Sequence, residues 1–133
     1  MSRRRARETA FKVVFQVEQA KADPEEAFNY LVEEGSLPEK DWEFAQKLIR
    51  KCLENLESID DKIAKYSDAW DLKRMSAVDR NIMRIAAAEM LYLKEVLPPI
   101  AIDEAVEIAK KYGDEKSHAF VNAILDKIAR ECQ

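Results

Sequence analysis

Glycine is nearly absent: two residues in a chain of 133, with only four prolines. An all-β chain needs turn residues every 8–12 positions or so, and this one cannot supply them. Cysteine is equally scarce. Cys52 and Cys132 form no CxxC pair, and the single histidine, His118, does not complete a zinc-binding spacing with them. Two unpaired thiols fit a reducing cytoplasm, which is the expected location. No run of about 18 apolar residues is available to span a membrane. There is no phosphate-binding glycine loop, nucleophile elbow or zinc helix, so neither an enzyme nor a cofactor or metal is expected. Internal repeats and low-complexity tracts are also absent.

What remains is helix. Apolar residues make up 47% of the chain and charged residues 36%, enough for one real core under a heavily solvated surface. Helical spacing dominates throughout, and no alternating run is long enough for a strand. The first helix is expected from Arg3 to Ala20, with Ala6, Ala10, Val13, Val14 and Val17 on its inner face. Asp23-Pro24-Glu25-Glu26 reads as the capped start of a second helix, and Gly35 as its left-handed end. Ser36 with Glu39 has capping-box spacing for a third helix, carrying Ala45, Leu48, Ile49, Cys52, Leu53 and Leu56. Ser58 with Asp61 is expected to start a shorter fourth, to about Tyr66. Residues 67–75, including Trp70 and Leu72, read as a hinge region. Ser76 with Asp79 caps the segment VDRNIMRIAAAEMLYL, apolar on nearly every side from Ile82 and so expected to be the central buried helix. Pro98 and Pro99 are expected to end it. Two further helices follow, the first stopped by Gly113 after Lys110 and Lys111, the last burying Phe120, Val121, Ile124, Leu125 and Ile128. The expected fold is all-α: roughly seven helices in one compact domain over 1–133, packed as two small bundles of about 1–66 and 67–133.

The net charge is −4, which by itself argues against a nucleic-acid partner. Its distribution argues the other way. The first twelve residues hold Arg3, Arg4, Arg5, Arg7 and Lys12 against one acid, Glu8. A basic end on an acidic body is an electrostatic footprint with a direction. An Arg-rich transit peptide is disfavoured, because the segment contains Glu8 and runs straight into core spacing. At ~100° per residue, Arg4, Arg7, Phe11 and Phe15 fall beside the core face. Guanidinium groups bind phosphate and aromatic rings stack on unpaired bases. Spacing alone leaves core packing equally open for Phe11 and Phe15. His118 and Asn122 lie i, i+4 on one side of the last helix, near Lys110, Lys111 and Lys116. Glu89, set in an apolar run, needs a satisfying arginine; Arg84 or Arg80 is the expected one.

Four stretches in this order, RRRARETAFKVVFQ, VDRNIMRIAAAEML, PPIAIDEAVEIAKKYG and SHAFVNAILDKIA, resemble the NusB transcription antitermination family over essentially the whole chain. The resemblance implies a non-enzymatic, all-α RNA-binding protein. Its implied ligand is single-stranded boxA RNA of ribosomal RNA leader transcripts. Its implied protein partner is the small-subunit ribosomal protein NusE, in a heterodimer that joins other Nus factors and RNA polymerase. Carried over by motif, Arg3, Arg4, Arg5, Arg7, Lys12, Phe15 and Gln16 are the RNA-binding start. Lys116, Ser117, His118, Phe120 and Asn122 are expected close to the same RNA, with Ala123 standing where the family commonly has Gly. Asp79, Arg80, Arg84 and Glu89 are the expected protein-partner surface. On this reading Arg7→Ala should weaken RNA binding without unfolding the protein. Two other readings compete: an RNA-binding lobe of a ribosomal RNA cytosine methyltransferase, and a helical adaptor that binds only protein.

Overall fold

The computed structural model describes residues 3–35, 37–67 and 72–132. Among these there are seven α-helices and no strand: α1 (Arg4–Ala20), α2 (Pro24–Glu33), α3 (Trp42–Glu54), α4 (Leu56–Tyr66), α5 (Ala77–Ala88), α6 (Pro98–Tyr112) and α7 (Ser117–Arg130). A 3₁₀ turn, Glu39–Asp41, leads into α3, and a π-helical turn, Glu89–Leu93, continues α5.

Local chemistry sets most boundaries. Asp23 caps α2 by accepting from the Glu26 amide at 3.0 Å, and Ser76 caps α5 by accepting from Asp79 at 2.9 Å. Gly35 follows α2 at φ +74, where its missing Cβ removes the steric penalty. Gly113 ends α6 for a different reason. Its backbone is extended, and a Cβ there would meet the Ser117 Oγ at 2.3 Å, so the glycine permits close approach of α7.

Some boundaries differ from the sequence reading. The fourth helix begins at Leu56, and Ser58 hydrogen-bonds the Tyr92 hydroxyl at 2.6 Å instead of capping it. Pro98 opens α6, as its fixed φ and missing N–H allow at a first helical position; the preceding segment ends at Lys94, which sits at φ 56 and donates its amide to Glu89 O at 2.9 Å. Ser36 and Trp70 lie outside the described residues.

Helix α5 is the axle. Every residue from Asp79 to Met90 is buried, and α1, α3, α4, α6 and α7 all pack on it. The most extensive helix pairing is α6 against α7. On α1 the inner face is Ala6, Ala10, Val13 and Val14, joined by Phe11. Val17 and Phe120 are only partly buried against the core.

Candidate nucleic-acid interface

Helix α1 opens against its own dipole. Cations are favoured at helix C-termini, yet Arg4, Arg5 and Arg7 occupy the first turn, with no acidic residue there and no side-chain cap at Arg3. Carboxylates from distant segments offset part of this. Arg3 donates to Glu95 at 3.1 Å and lies 4.3 Å over the Phe44 ring. Arg4 grips Glu104 with two N–H donors, at 2.7 and 3.3 Å. Hydrogen bonds from Lys47 and Arg3 hold the Glu95 carboxyl below its ordinary pKa. Arg5 is exposed and makes no ion pair with a described residue.

Arg7 behaves differently from expectation. It is only 5% exposed, and its Nε and Nη2 donate to the two oxygens of Glu89 at 2.7 and 2.6 Å, with Nη1 3.3 Å from Glu104. Glu89 is satisfied by Arg7, then, and not by Arg84 or Arg80. The arginine that the helical wheel places in the outward stripe is an interior bolt between α1 and the π turn. Phe11 is likewise core, between Phe15 at 6.0 Å and Tyr112 at 5.5 Å (ring centroids). Phe15 and Gln16 are partly buried beside it.

The four residues expected to meet a protein partner are all buried. Arg80 binds Glu18 at 2.6 and 2.8 Å and the carbonyls of Leu72 and Met75 at 2.9 and 3.0 Å. Arg84 binds Asp60 at 2.7 and 2.8 Å and Glu18 at 2.6 Å. Burial opposes the charge on Glu18 most strongly, yet hydrogen bonds from Arg80, Asn81 and Gln19 together with the charge of Arg84 outweigh it and hold the carboxyl at about 2. Asp79 turns inward too, and burial raises its pKa. Arg80 and Arg84 tie α5 to α1 and α4, and burial keeps all four residues from forming an outer surface.

Ser117 is also internal. Its Oγ accepts from the Asp114 amide at 3.0 Å, so it shapes the α6–α7 turn. Lys116, His118 and Asn122 are exposed, and Phe120 is half-buried. Asn122 borders a shallow depression of about 240 Å³ with Pro98, Pro99 and Asp126.

An open groove of about 760 Å³ runs along α1. Arg4, Arg5 and Lys12 of α1 line it together with Lys40 from the 3₁₀ turn and Lys111 from the end of α6, and among the described residues Glu8 and Asp41 are the acids there. Tyr112 organises this corner. Lys12 and Lys111 approach its ring at 5.6 and 5.3 Å, and its hydroxyl donates to Glu8 at 3.1 Å. Lys111 also reaches Glu8 at 3.0 Å, and that hydrogen bond raises its pKa. Lys40 had no signal in the sequence beyond its charge; only the chain's return past α1 brings it here.

This basic groove on an otherwise acidic helical body can hold a polyanion and has no catalytic constellation among its described residues. The NusB family model matches residues 4–130. The chain belongs to the NusB family. The transcription antitermination protein NusB of Syntrophomonas wolfei is 62% identical over 131 residues, 98% of each chain. The solved Thermotoga maritima NusB superimposes with a TM-score of 0.89 at 45% identity, covering 98% of this chain and 92% of that one. A solved complex of antitermination factors NusB and NusE with double-stranded RNA matches with a TM-score of 0.88 at 34% identity, over 97% and 96% of the two chains. The name NusB relatives carry describes a transcription factor and not an enzyme. No described helix is long and apolar enough to cross a membrane.

Proposed function

We propose that this chain is a cytoplasmic transcription antitermination factor that binds single-stranded boxA RNA of ribosomal RNA leader transcripts together with ribosomal protein NusE, within a larger assembly of Nus factors and RNA polymerase. The observation that carries this reading is the basic edge of α1: Arg4 and Arg5 stand in the first turn against the helix dipole, and Lys12 lines the same groove further along. A fold built for stability alone would place acids at that end. The related NusB–NusE complex with RNA supports the choice of partners.

Binding is electrostatic in strength and local in specificity. Arginine and lysine neutralise phosphates and release counterions, so three or four contacts give a log–log salt slope of about −2 to −3 on single-stranded RNA. Exposed His118 and Asn122, with Gln16 and Phe15 at the edge of α1, are the candidates for reading unstacked bases. The test is a titration of boxA RNA, a scrambled strand and the boxA duplex, with and without NusE, at several salt concentrations. The expected result is preference for single-stranded boxA, strengthened by NusE and weakened several-fold by Arg5→Ala. Equal weak binding to all three RNAs overturns the reading.

A further inference from the structure

The groove beside α1 is not lined by the basic N-terminal stretch alone. Lys40 and Lys111, separated in sequence from α1 and from each other, line it as well. Both are supported from below. Leu37 is buried in the core, and the Trp42 indole N–H donates to the Leu37 carbonyl at 3.0 Å, so the turn bearing Lys40 is anchored at its base. Lys111 is held by Glu8 and by the Tyr112 ring. An ammonium has three donors, so Lys111 keeps capacity for a further acceptor while bound to Glu8.

The lining also excludes one kind of occupant. Among the described residues no aromatic side chain lines the groove, so they offer no platform there for stacking bases. The groove offers cations from three separate segments and open access from solvent. From Arg4 to Lys12 the helix rises about 12 Å, a length that accommodates a stretch of backbone rather than one isolated phosphate.

We infer that this groove is the track for the ribose–phosphate backbone of the bound RNA, with Lys40 and Lys111 as phosphate ligands supplied from outside α1. Base reading then takes place outside the groove. The inference rests on the RNA-binding reading above and assigns two residues and a division of labour to it. Phosphate contacts carry no sequence information, so these lysines set affinity without setting preference.

The experiment measures single-stranded boxA RNA and a scrambled strand of equal length against the wild type, Lys40→Ala, Lys111→Ala, the double variant and Arg5→Ala, over a salt series. Both lysines are exposed, and thermal melting confirms that each variant is folded. Each lysine variant is expected to weaken both RNAs by the same factor, roughly threefold to tenfold, and to flatten the salt slope by about 0.7. Unchanged affinity and slope in the double variant, with Arg5→Ala still weakening binding, removes Lys40 and Lys111 as phosphate ligands and leaves the RNA reading intact. A loss confined to boxA shows that the groove reads bases and overturns the backbone assignment. Failure of the wild type to prefer boxA overturns the functional reading itself.

Discussion

At the scale of single residues, charge type does not reveal role; burial does. Arg4, Arg5 and Arg7 stand within one helical turn, yet only Arg7 is sealed inside, where Glu89 takes both of its paired donors. Removing one partner of a buried pair leaves the other charged and unsolvated, which costs about 3–5 kcal/mol. Arg7→Ala is therefore expected to destabilise the fold by that order, measured by urea unfolding, and Arg7→Lys to recover little because an ammonium cannot make the bidentate contact. Arg5→Ala should leave the unfolding midpoint nearly unchanged. Any loss of RNA binding in Arg7→Ala must then be read after correcting for the unfolded fraction.

At the scale of elements, α1, α4 and α5 are joined by a polar network inside an otherwise apolar assembly: Glu18 between Arg80 and Arg84, and Asp60 on the far side of Arg84. Glu18 has a folded-state pKa of about 2 against an ordinary value of 4.5. A carboxyl depressed on folding stabilises the native state fully above its unfolded pKa. That contribution fades as pH falls from about 4.5 toward 2, because the unfolded chain takes up the proton first. The Glu18 side chain is 23% exposed, and solvent screening keeps its share on the order of 1–3 kcal/mol. Stability measured by denaturant titration from pH 6 to pH 2.5 should fall in the wild type. In Glu18→Gln it should be lower at pH 6 and should lack this part of the slope. A Glu18→Gln curve parallel to that of the wild type would show that the network does not act through this charge.

At the scale of the whole molecule, charge is partitioned. The acidic body supplies the counter-ions that hold Arg3 and Arg4 in place, and a basic edge faces solvent. Interior pairs such as Arg7–Glu89 are poorly screened by salt, whereas contacts between an exposed edge and phosphate are screened strongly. Raising salt from 0.05 to 0.5 M is thus expected to lower RNA affinity by more than tenfold while moving the melting temperature by only a few degrees. Parallel collapse of both would mean that the fold itself depends on surface charge.

Much of this architecture is legible in the sequence. Two glycines, continuous 3.6-residue spacing and the Asp23 and Ser76 caps determine an all-helical chain, because these are local properties of backbone geometry and nearest-neighbour hydrogen bonding. The basic start and the buried character of the central helix follow from where charged and apolar residues stand along the chain. What tertiary structure decided is the direction each polar side chain takes. Spacing on a wheel puts Arg7 beside Phe15, and a motif puts Arg80, Arg84 and Glu89 together, but neither shows which carboxylate arrives from 82 residues away to meet Arg7. The same holds for Lys40, which reaches the groove only because α2 and its turn fold back past α1. Periodicity is set by the backbone and is local; pairing and burial depend on contacts between segments distant in sequence, and only the folded chain brings those into reach.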